Sequence, residues 1–90
     1  MAFFRVPYPK DPDQRKSLFE RALSLMGRHG ACQGTPEAGT FEGRTPLGRF
    51  SGSYHWDEES GEIVFEVAHK PFLVPISLIE HETRKFMGAT

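Results

Sequence analysis

The chain carries a single cysteine, Cys32, so it can hold no internal disulfide. Small secreted domains more often carry an even set, so an oxidising compartment is not expected. No apolar run approaches the roughly 20 residues of a membrane-crossing helix. The opening MAFFRVPYPK lacks the basic start and apolar stretch of a signal peptide. The expected location is therefore the cytoplasm. Neither sign of charge is in excess, with a formal net charge of -1. Binding driven by phosphate neutralisation wants a basic domain or face. Here Arg15, Lys16, Arg21, Arg28, Arg44, Arg49, Arg84 and Lys85 are interleaved with acids, so nucleic acid is not an expected partner. There is no internal repeat, no low-complexity tract and no CxxC or HExxH spacing.

What is present is a globular mixture with 38% hydrophobic residues, too apolar for a disordered chain. Ninety residues make one domain, spanning 1–90. Eight phenylalanines in that length point to a small core built from a few large rings.

Phe4, Val6 and Tyr8 alternate as in a strand, and Pro7 places that strand at a sheet edge. Asp11-Pro12-Asp13-Gln14 is a helix start with a capping box. Leu18, Ala22, Leu25 and Met26 then recur at helical spacing, with Phe19 and Leu23 beside them, which predicts a helix over about residues 12–28. Residues 31–39, rich in Gly, Pro and Thr, read as a loop. Three strands follow, near Thr40–Arg44, Arg49–Asp57 and Glu62–Lys70. They are joined by turns at Thr45–Gly48 and Glu58–Gly61 into an antiparallel meander. Ser77-Leu78-Ile79-Glu80 is a second capping box, opening a helix with Ile79, Phe86 and Met87 on its buried side and a stop at Gly88. The predicted class is α+β, in the order β-α-β-β-β-α: an antiparallel sheet of about four strands, with both helices packed on its aromatic face.

Alternation fixes the register. Phe50, Tyr54 and Trp56 share one face with Gly52, and Ile63, Phe65 and Val67 share one face of the next strand. Trp56 then falls opposite Ile63, Tyr54 opposite Phe65, Phe41 opposite Gly52, and Gly43 opposite Phe50. Each of these two glycines meets a ring that covers its bare backbone. The other face, with Glu42, Arg44, Arg49, Ser51, Ser53, His55, Glu66 and Lys70, is the solvated side.

Five constellations invite a chemical reading. His55 and His69 lie on neighbouring strands, but parity sends His55 to the polar face and His69 toward the core, so no metal site is expected. His55 and Glu66 are diagonal neighbours on the open face, where a general base would have nothing to exclude water. Cys32 follows a helix end, close to His29, where the helix dipole does not favour a thiolate. Asp57, Glu58, Glu59 and Glu62 lack the alternating ligands and central glycine of a calcium loop. GTFEGRTPLGRFSG would lie within a hairpin, not between a strand and a helix as a phosphate loop does. No catalytic residue, metal or cofactor is assigned, and the chain is not read as an enzyme.

Two apolar features remain. Phe50, Tyr54, Trp56, Phe65 and Val67, with Phe19 and Met26 of the helix, could line a cavity for a small apolar ligand. The segment Lys70–Ile76 holds Phe72, Leu73 and Val74. These either plug the core, with Phe72 and Val74 inward, or form an exposed patch for a protein partner or an apolar surface.

The opening strand FFRVPY, the long helix, the glycine-punctuated strands and the closing FLVPISLIEHETRKF together resemble a family of small bacterial proteins, the polyhydroxyalkanoic acid system or granule-region proteins. The resemblance implies a non-enzymatic protein near storage-polymer metabolism, with no catalytic motif to carry over. The expected function is thus a non-catalytic interaction or binding module, the alternative being a carrier of a small apolar ligand. Pairing of two copies through the edge strand is a further expectation.

Overall fold

A computed structural model describes residues 2–27 and 30–87. The chain runs β1 (Ala2–Pro7), α1 (Pro12–Met26), β2 (Gly30–Gly34), β3 (Ala38–Thr45), β4 (Gly48–Asp57), β5 (Glu62–His69) and α2 (Ile76–Phe86). The five strands form one antiparallel sheet in the order β1-β5-β4-β3-β2. The fold is α+β as expected, with one strand more than the sequence announces. The expected helix end at Arg28, the stop at Gly88 and the neighbouring His29 lie outside the described residues.

The extra strand is β2, in the stretch read as a loop. It pairs Ala31 with Glu42, Cys32 with Phe41 and Gln33 with Thr40. Only one apolar side chain of this strand, Cys32, is turned inward, so no alternation marks it. Thr35 closes the hairpin, its hydroxyl accepting from the amides of Glu37 and Ala38, which is the local bonding that makes threonine a turn residue. Gly34 takes a positive φ of 139° at the same corner, a conformation that suits glycine.

The register of the central strands follows the alternation. Trp56 pairs with Ile63, Tyr54 with Phe65, Phe41 with Gly52 and Gly43 with Phe50. A Cβ on Gly52 would meet the Phe41 ring at 2.7 Å, so the ring lies across bare backbone. On the other side β1 joins β5, with Phe4 opposite Phe65 and Val6 opposite Ile63. The core collects Phe4, Val6, Tyr8, Tyr54, Ile63 and Val67.

A bulge between Ser51 and Gly52 corrects one expectation. Gly52 faces Val67 but Ser51 faces His69, so one extra residue of β5 is accommodated and the parity switches. His69 therefore pairs with a residue of the open face and is exposed. Val64 is a second departure. It is buried on the open face, between Arg5 of β1 and His55 of β4.

α1 starts as the sequence indicates. The Asp11 carboxylate accepts from the Asp13 amide, Pro12 fills the first turn, and Gly27 ends the helix at φ 49°. Leu25, counted on the inner stripe, is exposed. The buried residue of this helix is Arg15. α2 starts earlier than its serine suggests. Pro75 is the N-cap, in an extended conformation and with no side-chain cap bond, and Ser77 sits exposed in the first turn. The extended segment runs to Pro75 because proline fixes its own φ and holds its predecessor out of the helical region.

Candidate functional site

Two helices cover a five-stranded sheet without filling the space beneath them. Between sheet and helices lies an open cavity of about 370 Å³. Its floor is the inner face of the sheet: Phe4 of β1, Ile63, Phe65 and Val67 of β5, Tyr54 of β4, Phe41 of β3 and Cys32 of β2. Leu18, Phe19, Ala22 and Met26 of α1 form one wall, and Ile79, Thr83 and Phe86 of α2, with Met87, form the other. The alternation of the strands delivers every floor residue to the same side. The rings are fixed against one another, Phe65 stacking on Phe4 at 5.2 Å and meeting Phe41 edge-on at 6.2 Å.

Of the residues singled out from the sequence, Tyr54, Phe65, Val67, Phe19 and Met26 line this cavity. Phe50 and Trp56 are not among its lining residues. Phe50 lies toward the β3–β4 turn, opposite Gly43. Trp56 is occupied otherwise: the Arg15 guanidinium sits 4.8 Å above its ring and Tyr8 packs at 5.7 Å. Phe4, Phe41 and Cys32 line the cavity without having been named for it. The signal that could have found Phe4 and Phe41 was their parity with the named residues.

The polar atoms at the walls are already engaged. Tyr8 donates its hydroxyl hydrogen to the Pro36 carbonyl at 2.9 Å, and Tyr54 donates to the Thr35 carbonyl at 2.7 Å. Thr83 donates to the Ile79 carbonyl at 2.8 Å. The Cys32 sulfur lies 3.5 Å from the Tyr54 hydroxyl oxygen. Because that hydroxyl gives its one hydrogen to Thr35, the thiol is the donor in this pair. Burial pushes the Tyr8 phenol up to about 12, with the nearby Glu37 carboxylate acting in the same direction. Burial pushes Tyr54 up as well. Both hydroxyls therefore stay protonated and tied to backbone. Glu82 is the one acid on the lining and is exposed. The cavity thus offers a ligand hydrocarbon and aromatic surface and almost nothing to hydrogen-bond.

The remaining candidates are dispersed. His55 faces Val64 and Glu66 faces Ser53, a diagonal pair on the open face that no hydrogen bond joins. His69, opposite Ser51, is four positions of β4 away from His55, or about 13 Å. Among the described residues no group of three or more His, Cys, Asp or Glu could hold a metal ion. Asp57 and Glu62 are engaged by Arg5, at 3.1 and 3.9 Å, and the Asp57 carboxyl is held below the usual range chiefly by that guanidinium. Phe72 and Leu73 are exposed, whereas Val74 is buried. The three residues read together as one apolar segment therefore divide between surface and interior.

No family model, curated protein or solved structure matches the chain. The resemblance to polyhydroxyalkanoic acid system proteins rests on the residues quoted for it alone.

Proposed function

We propose that the chain is a non-catalytic binding domain that holds a small apolar ligand between its sheet and its two helices. The observation that carries this reading is the cavity of about 370 Å³, a size within the range of small-molecule sites. A core this short has little volume to leave empty unless something occupies it. Ligand chemistry follows from the walls. With the hydroxyls of Tyr8, Tyr54 and Thr83 committed to carbonyls, a buried polar group on the ligand would find no partner and would be costly. The enclosed part of the ligand is therefore a hydrocarbon chain or ring, and any polar group sits at the mouth. We place this activity in the bacterial cytoplasm and, on the strength of the resemblance, near storage-polymer metabolism, where apolar intermediates would be the cargo.

The test is a titration of the purified protein with Nile red, followed by displacement with fatty alcohols of increasing length and by a native mass spectrum. One dye per chain, displaced by alcohols that fit the cavity, is the expected result. A signal that does not saturate, or that no alcohol displaces, would overturn the reading.

A further inference from the structure

At one end of the sheet two turns lie side by side. The first joins β3 to β4 through Pro46 and Leu47. The second spans Pro71 to Val74, closed by the Val74 amide donating to the Pro71 carbonyl at 3.1 Å. They touch: a Cβ on Gly48 would sit 3.2 Å from the Pro71 ring. The central positions of such turns usually carry Gly, Asn, Asp or Ser. Here they carry Phe72, 94% exposed, and Leu73, 83% exposed, with Leu47 beside them at 70%. The feet of the second turn, Pro71 and Val74, are buried. Two large apolar side chains are thus held out in water by an anchored turn.

The charges next to the two turns are of one sign, the nearest acids, Glu42 and Glu66, lying further along the sheet. From Gly43 to Phe50 the charged residues are Arg44 and Arg49, and from Val67 to Ile79 the charged residue is Lys70, with no acid in either segment. Arg44 and Arg49 stand directly opposite each other across β3 and β4. Like charges in that position are destabilising. Among the described residues none of Arg44, Arg49 and Lys70 is in an ion pair, whereas Arg5, Arg15, Arg84 and Lys85 each have a carboxylate. The other end of β4 carries Asp57, Glu58 and Glu59, about 30 Å away along the strand. The near-zero net charge therefore conceals a polar molecule with a cationic, apolar-tipped end.

We infer that this end docks on an anionic lipid surface. Phe72 and Leu73 enter the interface and Arg44, Arg49 and Lys70 meet the headgroups. Two inserted side chains alone give weak, reversible attachment, and the basic residues supply the second signal that stable attachment needs. The acidic end points away from the surface, which fixes the orientation. This docking is independent of the cavity reading and survives if the cavity proves to bind nothing.

Flotation with vesicles tests it, comparing phosphatidylcholine alone with phosphatidylcholine containing phosphatidylglycerol. The protein is expected to float with the anionic vesicles and to be released by salt. Phe72→Ser with Leu73→Ser should lower the bound fraction by more than about tenfold, at an unchanged thermal midpoint. Arg49→Gln and Lys70→Gln should each lower it by about fivefold at low salt. The glutamine variants leave the apolar turn intact, so they carry the test if the serine variant loses stability. Equal binding to both vesicles, or wild-type binding by the serine variant, overturns the inference. So does failure to float with either, which would assign the exposed pair to a protein partner instead.

Discussion

Tyr8, just past the end of β1, and Tyr54 of β4 bond to consecutive carbonyls, Pro36 and Thr35. They pin the β2–β3 hairpin over the end of the core, and their buried phenols carry a pH signature. An unfolded tyrosine ionises near pH 10, while folded Tyr8 is held to about 12. Below about pH 10 both states keep the proton and the hydroxyl's contribution is whole. As pH rises from about 10 to 12 the unfolded chain gives up the proton first, and stability is lost. Tyr54 is shifted in the same direction and adds to the loss. The urea midpoint is therefore expected to fall steeply across that window. Tyr8→Phe should start about 1 kcal/mol lower, because the Pro36 carbonyl loses its donor, and should decline less steeply. A parallel decline of variant and wild type would mean that Tyr8 contributes nothing to the alkaline transition. Individual residues were unevenly legible in the sequence. The inward rings could be found by counting alternate positions. Arg15 could not, because its burial depends on partners far along the chain, the Glu37 carboxylate at 3.0 Å and the face of Trp56, beside the nearby Lys10 carbonyl at 2.8 Å.

Elements were legible where one face is apolar and the other polar. β4 and β5 could be registered residue by residue because Tyr54, Trp56, Ile63 and Phe65 alternate with serines, histidine and glutamate. β2 is short, edge-placed and built of Gly, Ala, Cys and Gln, so its pairing with β3 comes from backbone bonds that leave no periodic mark. The bulge at Ser51 is likewise a backbone event, and it reversed the parity assigned to His69. On β1 the Arg84 guanidinium donates to the Arg5 carbonyl at 2.7 Å, and Pro7 has no amide hydrogen, two features that blunt the edge against pairing with a second copy. α2 is a weakly anchored helix. None of its residues is buried, and its ties include the Arg84 bond to β1 and the Arg21 bond to the Phe86 carbonyl at 2.9 Å. Its amides should exchange with solvent well before those of β4 and β5, since local opening follows weak burial. If α2 forms one wall of a ligand site, a bound ligand should slow that exchange selectively. Hydrogen exchange with and without saturating ligand measures both effects. Uniform slowing across the sheet would point to a global gain in stability with no special part for this helix.

At the scale of the molecule, an apolar cavity in so small a domain poses a choice between a binding site and loose packing. Both readings predict that filling it stabilises the fold, because wall atoms facing empty space forgo contacts. They part on what else changes. Ala22 of α1 lines the cavity and is half-buried, with the space in front of its methyl. Ala22→Phe should raise stability by about 1 kcal/mol, as cavity-filling changes commonly do. Ala22→Leu is the milder companion should the larger ring overpack. If the cavity is the ligand site, the same substitution should weaken Nile red binding at least tenfold while the thermal midpoint rises. Opposite signs on stability and affinity are what a ligand site requires, since ligand and side chain compete for one volume. A stability gain with dye binding intact would move the ligand elsewhere on the molecule. A gain in a protein that never bound dye would reduce the cavity to slack packing. The exposed turn at Phe72 and Leu73 would not be affected in either case, because it lies outside the cavity wall.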